Sequence, residues 1–100
     1  MIRGTTPTHV FNLPIDTEII KALRITYAQF GRNVVEKTLK DVRLEGNAIR
    51  LTLSREETLL FRTGSPVSWQ MEILTVDEVV LANRVQTVSV DVLLNEEALE

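Results

Sequence analysis

The chain has no cysteine, which excludes disulfides, thiolate metal sites and thiol nucleophiles and leaves packing to hold the fold together. It has one histidine, one tryptophan and one tyrosine, and aromatic residues make up 5% of it. His9 has neither a second histidine nor a cysteine to complete a common metal site. No run approaches the ~20 apolar residues of a membrane-spanning helix. Lysine and arginine are scattered (Arg24, Arg32, Lys37, Lys40, Arg43, Arg50, Arg55, Arg62, Arg84) with carboxylates close by, whereas phosphate-backbone binding needs positive charge gathered on one face. Neither a Walker pattern nor GxGxxG occurs in "GTT" or "TGS", and calcium-loop and nucleophile-elbow patterns are also missing. These absences argue against nucleic-acid, membrane, metal and nucleotide chemistry.

What remains is 100 residues, 44% hydrophobic and 25% charged, with a net charge of −3. That is the size of one domain, 1–100, whose core must come mainly from Val, Leu and Ile. Lack of cysteine suits a reducing compartment. The N-terminus carries one positive residue, Arg3, followed by threonines where a signal peptide would have its apolar region. "RGTTPTHVFNLP" is therefore expected to be a first strand preceded by a short arm, 1–4, and "NEEALE", 95–100, an acidic solvated tail able to add a helical turn.

Apolar residues recur with a period of two, the mark of half-buried strands. In "THVFNLP", His9, Phe11 and Leu13 share a face, and Pro14 must end the strand. Asp16 in "DTEII" suits the cap of one helical turn. "ALRITYAQ" sets Leu23, Ile25 and Tyr27 opposite Arg24 and Thr26. "FGRN" predicts a turn, with positive φ at Gly31 and tolerance for it at Asn33, and "VVEKTL" returns as a hairpin. "VRLE" and "AIRLTL" flank Gly46-Asn47, a primed-turn signal, with Ile49, Leu51 and Leu53 on one face. Ser54 and Glu57 form a capping box on a helical turn near 54–62, crossing between sheets. Val67, Trp69, Met71 and Ile73 alternate with polar residues, and "VVLAN" and "RVQTVSVDVLL" supply a final hairpin or bent strand with Val88, Val90 and Val92 on one side. About seven short strands at 8–12-residue spacing predict an all-β, two-sheet antiparallel β-sandwich of immunoglobulin-like type.

Candidate chemistry is sparse. His9 reads as a sheet-margin residue. Ser54, Ser65 and Ser68 lack an evident activating base. The carboxylate pairs Glu56-Glu57, Asp77-Glu78 and Glu96-Glu97 read as a helix cap, a turn and a tail rather than as a glycosidase pair. Trp69 shares the core parity of Val67 and Met71, so its truncation to alanine is expected to cost ~3–5 kcal/mol. No catalytic, cofactor-binding or metal residues are assigned, and no cofactor is expected.

The stretches "MIRGTTPTHVFNLPIDTEIIKALRITYAQFG", "LEGNAIRLTLSREETLLF" and "VQTVSVDVLL" together resemble small prophage-encoded proteins of Gram-positive bacteria. The layout also resembles the N-terminal β-sandwich of phage baseplate upper proteins, a structural adaptor with receptor-binding parts attached after it; Glu100 is followed by no such part here. The resemblance implies a non-enzymatic virion structural or assembly protein, made in the bacterial cytoplasm and associated with tail or baseplate. Its partners would be other phage structural proteins or further copies of itself. The few charges of Thr5–Leu13 suggest a strand paired within the sheet, with Met1–Gly4 lying across a neighbour. The rival is a free-standing carbohydrate-binding sandwich, which requires Trp69 or Tyr27 to be exposed. An enzyme would require His9 to meet a serine or carboxylates in a pocket.

Overall fold

A computed structural model describes residues 1–99. The strands are β1 (Thr8–Asn12), β2 (Ile20–Gln29), β3 (Arg32–Thr38), β4 (Arg43–Glu45), β5 (Ala48–Thr52), β6 (Val67–Thr75), β7 (Val80–Ala82) and β8 (Gln86–Val88), with one α-helical turn, α1 (Arg55–Thr58), and 3₁₀ turns at Thr17–Ile19 and Leu39–Asp41. They form two antiparallel sheets, β1-β5-β4 and β3-β2-β6, and β7 and β8 both pair with the far edge of β6. The expected two-sheet antiparallel sandwich is what forms. In an immunoglobulin sandwich the first two strands share a sheet. Here β1 and β2 lie in opposite sheets, so the likeness is one of architecture rather than strand order.

The apolar parities meet in the middle. Ile49, Leu51 and Leu53 from the smaller sheet, and Leu23, Ile25, Tyr27, Met71 and Ile73 from the larger, are all buried in one core. Along β2 the alternation slips once, where Lys21 and Ala22 are both exposed between buried Ile20 and Leu23. The ladder to β6 shifts register at that point. This irregularity lets Ile20 and Leu23 face inward although they are three apart. A second register shift lies between Tyr27 and Ala28 against β3.

Local signals are met at both caps. The Asp16 side chain accepts from the Glu18 N–H at 2.9 Å, capping the 3₁₀ turn Thr17–Ile19. Ser54 Oγ accepts from the Glu57 N–H, and Glu57 Oε1 from the Ser54 N–H. In the Gly46-Asn47 hairpin only Gly46 has positive φ, 60°, the pattern of a II′ turn. The β2–β3 turn differs from expectation. Positive φ falls on Phe30 and Gly31, 55° and 73°, and Asn33 is in β3, because Gln29 pairs with Arg32 and leaves Phe30-Gly31 as the two-residue loop.

The final segment is a bent strand. β7 pairs with Glu72–Leu74 and β8 with Val67–Trp69, and Asn83 holds the break between them. The Asn83 N–H donates to the Met71 carbonyl at 3.3 Å, and Asn83 Oδ1 accepts from the Met71 N–H at 2.6 Å. Beyond β8 the inward alternation fails. Val90 is buried, but Val92 is 62% exposed, because Asp91 leaves the β6 ladder and bridges Ile2 instead.

Met1–Gly4 folds back onto its own chain rather than lying across a neighbour. Ile2 pairs in parallel with Asp91, the Arg3 N–H donates to the Asp91 carbonyl at 3.0 Å, and the Asp91 N–H donates to the Met1 carbonyl at 2.8 Å. The Arg3 guanidinium donates to the carbonyls of Phe61 (2.8 Å) and Leu59 (3.0 Å) and pairs with Glu96. Buried Thr58 accepts from the Gly4 N–H at 3.0 Å. Asn95, Glu97, Ala98 and Leu99 are exposed, as in a solvated tail, but Glu96 is half-buried between Arg3 and Arg55, and no helical turn forms among residues 95–99. One guanidinium drawing on two carbonyls and a carboxylate holds Glu96 against the domain while its neighbours stay in solvent.

Replacing Arg3 by methionine removes donors from two part-buried carbonyls and should cost about 1–3 kcal/mol in urea unfolding. Arg3→Lys should recover only part of the loss, since a single ammonium cannot reproduce the guanidinium fork.

Candidate functional site

One side of the sandwich is open. β1 is the edge of the smaller sheet, and β7 and β8 line the edge of the larger. Between these edges lies a cleft of about 590 Å³. Phe11 and Trp69 form its floor, with ring centroids 4.8 Å apart. Val10, Leu13 and Leu81 line its sides, and Asn12 and Gln86 lie at its polar margin. Trp69 lies on the inward parity as expected, yet it is only half-buried. Parity fixes the face a residue points to. It does not say whether that face is covered, and β1 leaves Trp69 partly uncovered.

Tyr27 is fully buried. Its hydroxyl lies 2.7 Å from Nδ1 of half-buried His9 on the opposite sheet. Burial, and then the positive N-terminus, lower the His9 pKa below its usual 6.5. Burial and the nearby Glu57 charge push the Tyr27 hydroxyl well above its ordinary range. Both groups are therefore neutral near pH 7. In the Nε2–H tautomer of His9, Tyr27 donates and Nδ1 accepts. This bond ties the sheets together and uses the nitrogen that would otherwise act as a base.

The other candidates are dispersed. Ser54 caps α1, and the Ser65 carbonyl accepts from the Gln29 side chain. For Glu57, burial pushes the carboxyl up, but Lys37 at 2.5 Å and the Ser54 N–H outweigh it, and the net shift is downward. Glu78 pairs with Lys21 and Glu96 with Arg3. Among the described residues, no group of three or more His, Cys, Asp or Glu is placed to hold a metal. Among the described residues no helix is long and apolar enough to cross a membrane. The cleft itself was not legible in the sequence; the nearest signal was the shared parity of Phe11 and Trp69. No family model, no curated protein and no solved structure matches this chain.

His9 holds its proton less tightly folded than unfolded. Stability should fall as the pH drops through 6.5, since the unfolded chain gains the proton first. His9→Gln should flatten that window in urea titrations, leaving the carboxylate losses at lower pH. Because Trp69 is already half open, Trp69→Ala should cost about 1.5–3 kcal/mol, less than a full core truncation.

Proposed function

We propose that this protein is a non-enzymatic structural or assembly component of a phage or prophage particle, associated with tail or baseplate, and that it acts through protein–protein contact. The resemblance supplies the particle; the observation that carries the contact role is Phe30. A bulky residue with φ of 55° is costly, since the left-handed region clashes with Cβ. Its side chain is 63% exposed, so burial within the domain does little to offset that cost. Asparagine at this place would suit the turn better. A strained, exposed aromatic at a hairpin tip fits an anchor residue, since aromatic side chains are enriched among the few that carry most of an interface's energy.

A carbohydrate-binding role is the second reading, favoured by the Phe11–Trp69 floor of the open cleft. Asn12 and Gln86 at its margin make no side-chain hydrogen bond among the described residues and are available to sugar hydroxyls.

The deciding experiment tags the chain in the bacterium that encodes it, induces particle production and follows the tag through density-gradient purification. Co-migration with particles is expected. Phe30→Asn should raise stability by about 0.5–1 kcal/mol and yet reduce incorporation. Absence of the wild-type tag from every particle fraction, together with a glycan-array signal lost in Trp69→Ala, would favour the sugar-binding reading instead.

A further inference from the structure

β7 is the least protected edge of the larger sheet. It reads Val80-Leu81-Ala82, pairs only with β6, and is exposed throughout, Val80 by 69%. It carries no lysine, proline or inward-pointing charge, the devices that ordinarily blunt such an edge. Only its shortness guards it.

The direction of its free backbone groups follows from its neighbours. The Val79 carbonyl accepts from the Thr75 N–H at 2.9 Å, and the Asn83 N–H donates to the Met71 carbonyl at 3.3 Å. Residues 79 and 83 thus turn their backbone toward β6. Alternation along a strand turns Leu81 the same way and leaves the N–H and C=O of Val80 and Ala82 pointing outward. These two residues are spaced i, i+2, which is the spacing of successive hydrogen-bonded pairs in an antiparallel ladder.

We propose that β7 pairs antiparallel with β7 of a second copy of this chain about a two-fold axis at Leu81. In that register Val80 of each copy exchanges both backbone hydrogen bonds with Ala82 of the other. The two Leu81 residues form the intervening non-hydrogen-bonded pair, with Cα atoms about 4.5 Å apart. Shifting the register by one residue gives each outward group an inward-turned partner. Shifting it by two leaves half of the outward groups without a strand residue opposite.

The charges agree with this arrangement. Asp77 and Glu78 precede β7 and Arg84 follows it. Antiparallel pairing sets the acidic end of one copy against the basic end of the other, whereas parallel pairing sets like against like. Glu78 is held by Lys21 at 2.5 Å, while Arg84 makes no ion pair among the described residues and is available to the partner's acidic end. The two larger sheets then run on as one, and both apolar clefts open on the same face beside the axis. A closed two-fold dimer of this kind leaves no further copy of the edge free.

The dimer deepens the contact reading by naming a partner, but it rests on the β7 edge and not on the particle assignment. Light scattering of the untagged protein over about a hundredfold concentration range should show monomer passing to dimer. Ala82→Pro removes an outward N–H at an edge, where proline is tolerated, and should raise the dimer Kd at least about tenfold with the circular dichroism unchanged. Leu81→Cys places one thiol per chain at the axis and should cross-link under mild oxidation faster than Val80→Cys, which sits diagonally to its counterpart, or Val10→Cys on β1. Glu78→Arg and Arg84→Glu should each weaken the dimer, and the double variant should restore it. A wild type that stays monomeric throughout, or Leu81→Cys cross-linking no faster than Val10→Cys, overturns the proposal. Should Ala82→Pro fail to fold, the cysteine pair still decides. Particle association by a monomer would overturn only the dimer, and a dimer absent from particles only the particle assignment.

Discussion

Ile25 and Tyr27 on one sheet and Ile49, Leu51 and Leu53 on the other have no solvent exposure, and without a cysteine their contact is what holds the domain. Each sheet has one apolar face, and neither is stable alone in water. Sliding any of these strands by one residue would turn its whole apolar set outward. Tyr27 adds a polar demand to this apolar contact, because a buried hydroxyl without a partner is costly. His9 meets that demand from across the sandwich. A core poor in aromatics has thus placed its one tyrosine where its ring fills the centre and its hydroxyl joins the two layers.

The parts of the fold legible in the sequence are those set by local pattern. Period-two alternation gave β2, β5 and β6 their inward faces. Asp16 and the Ser54–Glu57 box marked two of the three short helical turns, leaving Leu39–Asp41 unmarked, and Gly46-Asn47 marked a hairpin. The illegible parts depend on residues far apart in the chain. Nothing in "MIRG" announces a parallel bridge to Asp91, and nothing in "NEEALE" announces that Glu96 will meet Arg3. The β2–β3 turn was drawn two residues too long at its end, because Gly31 signals a turn without fixing which neighbour shares its positive φ.

The candidate site follows the same division. His9, Phe11 and Trp69 were correctly placed on inward faces, but the width of the opening between β1 and β7 comes from how two sheets meet. Whether Trp69 is covered depends on strand length at an edge, a property of the assembled layers. Phe30 escaped notice because its peculiarity is conformational: phenylalanine in a turn is ordinary until its φ is known.

The clasp between Met1–Arg3 and Ser89–Asp91, groups 88 to 90 residues apart, has a consequence for synthesis. A chain emerging from the ribosome makes its hairpins early, since β2–β3 and β4–β5 are local. β1 must wait for β5, and the first residues must wait for Ser89–Asp91. Until then the Leu59 and Phe61 carbonyls and the apolar underside of Val90 have no cover. The nascent domain therefore completes itself only once Ser89–Asp91 have emerged, and the interval before the clasp closes is when its open edges are most exposed to wrong partners.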